Sequence, residues 1–244
     1  MALLEALGVT KTFGKLTALA GVNLAIAERQ FHGLIGPNGS GKSTLMKCIA
    51  GAEIAESGQI LFDGHDVTSA PPAERARAGM SIKFQITSVL PTLTVYDNIL
   101  LSLQAQASIP ALVLSRTRGA LHDRIMETLE QFRLAERAAE TAAVLSHGQQ
   151  QWLEIAMAFA PRPRILLLDE PTAGMSLEER RLTGELLMPI RQRCSLLIVE
   201  HDLDFIRDLC DVLTVLDQGN VIDSGTTEQI QSSVKVQEVY LTRV

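Results

Sequence analysis

The stretch Gly36-Pro37-Asn38-Gly39-Ser40-Gly41-Lys42-Ser43-Thr44 spaces a glycine, four residues and then Gly-Lys-Ser. Glycines at those positions let the backbone curl until successive N–H groups point inward at phosphate oxygens. A helix starting there adds its partial positive charge at the same spot. Lys42 is then placed to reach the β- and γ-phosphates, and Ser43 to offer a hydroxyl to Mg²⁺. The chemistry expected is the binding of a nucleoside triphosphate, ATP or a relative, with Mg²⁺. Hydrolysis of such a ligand needs a metal ligand, an oriented water and positive charge around the γ-phosphoryl group. Asp169, at the end of an apolar run, is the natural Mg²⁺ partner of Ser43, and Glu170 is next in line to polarise the water. His201 follows another apolar run and can meet the γ-phosphate or the water from the opposite side. Ser146 and Gly148 precede a further helix and form a second anion-ready end. Two such ends in one chain are most economically explained if two copies pair head to tail, each lending its second site to the other's nucleotide.

These residues need elements to hold them. Phe31 to Ile35 reads as a strand and 42–50 as a helix, the setting that the glycine loop requires. Ahead of them, Leu3 to Val9, Leu16 to Leu19 and Val22 to Ala27 read as strands of an antiparallel sheet. Thr10 to Gly14 reads as a turn carrying Phe13, either a packed core ring or a face for an adenine base. Ile60 to Phe62 and the turn Asp63-Gly64 signal a hairpin, and Pro71-Pro72 opens a short helix through Ala78. Ile82 to Phe84 is a brief strand ending at Gln85. Helical spacing runs from Val95 to about Gln106 and from Leu121 to about Gln131, whereas 109–119 has no readable pattern. The chain is expected to be α/β, with 86–160 forming a helical lobe inserted in the core. The helix that follows Leu145 to Gln149 and runs to Ala160 is apolar nearly all round past Trp152 and should be largely buried. Ile165 to Leu168 and Leu196 to Val199 are continuous apolar runs, as strands covered on both faces are. Between them 178–193 reads as one helix. The alternation predicts a parallel sheet with chemistry at its carboxyl ends. Val212 to Leu216 and Val221-Ile222 form a hairpin, and 226–244 is a helical tail.

Composition bounds the rest. The 244 residues carry a net charge of −6 with 46% hydrophobic and 20% charged residues, a folded globular chain with no general basic face for nucleic acid. No apolar run reaches the ~18–20 residues of a membrane-spanning helix. Glu5 interrupts the first apolar residues, unlike a secretory leader. Cys48, Cys194 and Cys210 show neither metal nor redox spacing and are expected to be buried free thiols in a cytosolic protein.

The motifs in this order resemble, over essentially the full length, the ATP-binding subunit of an ATP-binding-cassette (ABC) transporter. Gly36–Thr44 corresponds to the Walker A loop, Gln85 to the Q-loop, Leu145–Gln149 to the signature, Ile165–Glu170 to Walker B and His201 to the switch histidine. The resemblance implies a P-loop NTPase core, an N-terminal antiparallel β subdomain and an inserted helical subdomain within a single domain, 1–244. It further implies that Phe13 stacks on adenine and that Gln85 touches Mg²⁺ or water and senses the membrane partner. Ser146, Gly148 and Gln149 would face the other subunit's ATP, with Glu170 the catalytic base and His201 its partner. Partners implied are a second ATP-binding subunit, membrane permease subunits and, indirectly, a solute-binding protein, with no nucleic acid, at the cytoplasmic face of the plasma membrane. The segments Leu145 to Ile155 and Pro171 to Met175 look most like the subgroup that energises uptake of branched-chain amino acids, amides or urea. Exporter subunits for a lipid or lipopolysaccharide, and soluble non-transport members of the family, are the other classes in view. Two positions depart from the pattern: His147 stands where Gly is common, and Ser176 where Asp is common.

Overall fold

Continuous apolar runs such as Phe-His-Gly-Leu-Ile and Ile-Leu-Leu-Leu-Asp leave a strand no polar face, so both faces must be covered. The computed structural model, which describes residues 2–83, 88–105 and 117–241, covers them. Strands β1 (Ala2–Phe13) and β2 (Leu16–Ala27) form a long antiparallel hairpin. Next come β3 (Phe31–Ile35), α1 (Lys42–Ala50), β4 (Ser57–Phe62), β5 (His65–Asp66), α2 (Pro72–Ala78) and β6 (Met80–Lys83). Helices α3 (Val95–Gln104), α4 (Thr117–Gln131) and α5 (His147–Phe159) follow, then β7 (Ile165–Asp169), α6 (Leu177–Leu187), β8 (Ser195–Val199) and α7 (Leu203–Leu209). The chain closes with β9 (Val212–Asp217), β10 (Asn220–Thr226), α8 (Thr227–Ser232) and α9 (Val234–Leu241).

Two sheets result, with orders β2-β1-β4-β5 and β10-β9-β3-β8-β7-β6. In the second, β9, β3, β8, β7 and β6 run parallel, so their carboxyl ends share one edge. The period of two along a strand splits the core. Ile165 and Leu167 join the cluster around α1 and the first sheet, whereas Leu166 and Leu168 join the cluster of helices α3 to α7. Arg75 of α2 is buried, and its guanidinium donates to the carbonyls of Cys48 and Ile49 at 2.6 Å each and to those of Thr68 and Ala70. It thereby satisfies last-turn carbonyls of α1 that have no partner within the helix, and the negative end of the α1 dipole compensates its charge.

Three expectations change. Thr10 to Phe13 continue β1 rather than turning, because Thr10 pairs with Ser57 and Glu56 accepts from Thr12, contacts made across more than forty residues of sequence. The strands expected at Leu16–Leu19 and Val22–Ala27 are one strand, passing Gly21 with an irregular register. The helix expected over 178–193 ends at Leu187 and continues as a 3₁₀ turn, Met188–Gln192, since Pro189 has no N–H to continue the ladder. The three cysteines are buried and free. Phe84 and Gln85, expected to end the strand of β6, lie outside the described residues, as does most of 109–119.

His32, facing Thr214 across the β3–β9 pair, gives a test of pH dependence. Its Nε2 is 2.8 Å from Thr214 Oγ1, and burial lowers its pKa to about 4. The folded pKa lies below the unfolded 6.5, so the unfolded chain takes up a proton that the native one refuses. Stability is full above about pH 6.5 and falls toward pH 4, by about 3 kcal/mol in all. Denaturant titrations of His32→Leu against wild type are expected to show the variant's disadvantage shrinking by about that amount between pH 7 and pH 4; parallel pH profiles would refute it.

Candidate functional site

Three parallel strands end beside one another at the shared edge. Ile35 of β3 leads into the glycine loop, Asp169 closes β7, and Val199 of β8, paired with Asp169, leads to Glu200 and His201. The loop turns at Gly41, whose φ of 108° lies in a region that glycine alone occupies comfortably and where a Cβ would strike the Ala18 carbonyl. Helix α1 starts there with no side-chain cap, whereas Ser146 and Ser176 cap α5 and α6 in reciprocal boxes with Gln149 and Glu179. The first-turn donors of α1 are thus left for an anion. Lys42 folds back into the loop, Nζ donating to the Gly36 and Pro37 carbonyls at 2.8 Å each and standing 3.4 Å from Ser40 Oγ. Burial lowers its pKa, while Glu170 and Asp169 pull it up. Pro37, Asn38 and Gly39 form the rim of the loop, and Thr44 sits in the first turn of α1.

Ser43 Oγ donates to Asp169 Oδ1 at 3.3 Å. The Asp169 carboxyl is buried and its pKa raised by that burial, with the Ser43 bond acting against the rise. A hydroxyl and a desolvated carboxylate side by side are hard oxygen donors of the kind Mg²⁺ takes. Among the described residues no cluster of three or more His, Cys, Asp or Glu could hold a metal ion.

Glu170 adopts a left-handed φ of 47°, a conformation that costs a non-glycine residue about 1 kcal/mol or more. Its N–H donates to the Val199 carbonyl at 2.9 Å, and its Oε1 lies 2.6 Å from His201 Nε2. The structure therefore brings Lys42, Ser43, Asp169, Glu170 and His201 to one edge. It does not bring Ser146, Gly148 and Gln149 there: among the described residues, no hydrogen bond or ion pair joins them to the glycine loop, and Ser146 caps α5 instead. Phe13 ends β1 opposite Leu16, 46% exposed, with Lys11 Nζ 5.2 Å from its ring centre. Gln85 lies outside the described residues.

Two supporting carboxylates escaped the sequence reading. Glu200 is buried and accepts from Thr172 N–H at 2.8 Å and Thr172 Oγ1 at 2.6 Å, fixing the turn after Glu170. Glu154 of α5 pairs with Lys83 at 3.3 Å, both nearly inaccessible, and also accepts from the Ser88 N–H. A lone acid amid Trp-Leu-Glu-Ile-Ala was the available signal, since a buried carboxylate requires a partner.

Comparisons with known proteins bear on the family and the fold. The profile of the ABC transporter family matches residues 19–173. The chain is 34% identical to the high-affinity branched-chain amino acid transport ATP-binding protein BraF of Pseudomonas aeruginosa, over 98% of this chain and 97% of that one. Among solved structures it is similar to an ATP-binding cassette of an ABC transporter in its ADP conformation, with TM-score 0.88, 29% identity and 99% of each chain covered. It is also similar to a cassette whose dimeric, post-hydrolysis state holds ADP and Pi, with TM-score 0.78 and 27% identity over 92% of this chain and 98% of that one.

Proposed function

This chain belongs to the ABC transporter family, and from that premise we propose that it is the ATP-hydrolysing subunit of an importer for branched-chain amino acids or a chemically similar small solute. The near full-length similarity to BraF supports the solute class. The observation that carries the activity is the convergence of Ser43 on Asp169 and of Glu170 on His201 beside the glycine loop.

In this reading Gly36 to Thr44 cradle the triphosphate, Lys42 leaves the loop carbonyls for the β- and γ-phosphates, and Phe13 stacks on the base. Ser43 and Asp169, with Gln85, would hold Mg²⁺, which when bound would supply positive charge to the phosphates. Glu170, oriented by His201, takes a proton from a water as its oxygen bonds to the γ-phosphorus, and the β–γ bridging bond breaks to give ADP and phosphate. Ser146, Gly148 and Gln149 act on the nucleotide of a second ATP-binding subunit docked head to tail. That arrangement accounts for their separation from this chain's own loop, and the dimeric relative lends it support. The whole of 1–244 serves as one ATP-binding domain, with its helical lobe at about 86–160.

Among the described residues no helix is long and apolar enough to cross a membrane, so in this reading the chain is peripheral, held at the cytoplasmic face by permease subunits. A groove of about 460 Å³ lined by Pro72, Ala76, Met80, Ile82, Ser102 and Met157 offers an apolar seat for a permease segment, beside the strand that leads to Gln85. Affinity purification of the tagged chain from its native membrane is expected to recover two permease chains, with ATP-dependent branched-chain amino acid uptake in vesicles. Recovery with ribosomes or DNA and no permease would count against the proposal.

A further inference from the structure

The two positions that depart from the family pattern lie on segments that face each other. His147 Nε2 lies 3.0 Å from the Ala173 carbonyl. A carbonyl only accepts, so Nε2 carries the proton. The ring packs over Gly174, where an added Cβ would stand 2.9 Å from Nε2. Ser176 caps α6 together with Glu179, and the Glu179 carboxylate abuts the Cα of Gly148. One turn further along, Trp152 Nε1 donates to Thr183 Oγ1 at 2.8 Å, and that hydroxyl donates to the Glu179 carbonyl at 2.7 Å. Helix α5 is therefore joined to the loop before α6 by His147 and to α6 itself at two further levels. The loop between Glu170 and α6 is fixed at its other end as well, by Glu200 on Thr172 and by Val199 on the Glu170 N–H.

We propose that His147 is a positioning residue that ties each protomer's Ser146–Gly148 turn to its own Glu170 loop, so that hydrolysis of one nucleotide alters the grip on the other. The proposal rests on the head-to-tail reading, in which a protomer's Glu170 and its Ser146 serve different nucleotides. In that reading one interface closes on both nucleotides, and a connection inside the protomer adds a further coupling free energy between them. The chain Glu200–Thr172, Ala173–His147 and Glu179–Gly148 is a contiguous polar and steric connection of the kind that carries such coupling. The histidine is its outermost member and the one made by a side chain on the anion-binding turn itself.

The test measures ATPase rate against ATP concentration for the full chain, assembled with its second ATP-binding subunit. His147→Phe keeps a planar ring and loses the donor, whereas His147→Gln offers an amide N–H in its place. In wild type a Hill coefficient approaching 2 is expected, and a lower one in His147→Phe. The KM for ATP should rise about 2- to 10-fold with loss of the bond, and His147→Gln should recover both. Unchanged cooperativity in His147→Phe, equal damage in His147→Gln, or a non-cooperative wild type would overturn the proposal. Size exclusion of the Glu170→Gln assembly with ATP separates the two levels of failure. Absence of an ATP-dependent dimer removes the head-to-tail reading and this proposal with it. A dimer alongside a fully cooperative His147→Phe removes this proposal alone.

Discussion

Glu170→Gln is expected to bind ATP as tightly as the wild type, to lose about two to four orders of magnitude in turnover, and to accumulate as an ATP-loaded dimer on size exclusion. The substitution is isosteric. The amide keeps an oxygen that accepts from His201 Nε2, 2.6 Å away in the native pair, and the backbone bond from residue 170 to the Val199 carbonyl is untouched. What it removes is the capacity to take a proton from water. Lys42, Ser43 and Asp169 remain, so binding and closure should survive while the step that reopens the dimer does not. Single-turnover assays with radiolabelled ATP measure the chemical step directly, free of product release. Hydrolysis at the wild-type rate would show that Glu170 is not the base. His201→Ala provides the contrast: it leaves the carboxylate but frees it from its partner, so the loss should be smaller and the rate should retain a dependence on Glu170.

The parts of this site that were legible in the sequence are those whose determinants are local. The glycine spacing, the strand before it and the helix after it lie within twenty residues, and the apolar runs of β7 and β8 declare double coverage by themselves. Once those strands are parallel neighbours, Asp169 must lie beside Val199, and so Glu170 near His201. What stayed hidden depends on distant partners. Nothing near Glu200 indicates that its carboxylate turns inward to Thr172, 28 residues earlier. Arg75 sits in a short helix with charged neighbours and gives no sign that it closes the end of α1. Lys11 and Thr12 read as turn residues because their partners, the Ile54 carbonyl and Glu56, come more than forty positions later. Pro189 is the exception, a local stop signal that the apolar spacing around it masked.

Lys42→Ala is expected to weaken ATP binding by about 10- to 150-fold, the range set by one charge-assisted hydrogen bond of about 1.5–3 kcal/mol. The ammonium is held by the Gly36 and Pro37 carbonyls at 2.8 Å, so the side chain both shapes the loop and carries its positive charge. These roles separate by comparing Lys42→Ala with Lys42→Met, which restores most of the volume without charge. If the charge is what grips the phosphates, both variants lose affinity alike by isothermal titration, while Lys42→Met keeps more of the wild-type thermal midpoint. If Lys42 chiefly props the loop open, Lys42→Met should recover binding along with stability. The charge is the stronger candidate, because Asp169 and Glu170 oppose the lowering of its pKa by burial and favour the charged form beside the phosphates. Unchanged nucleotide affinity in Lys42→Ala would remove the glycine loop from the site, and with it the reason that Ser43, Asp169 and Glu170 converge there.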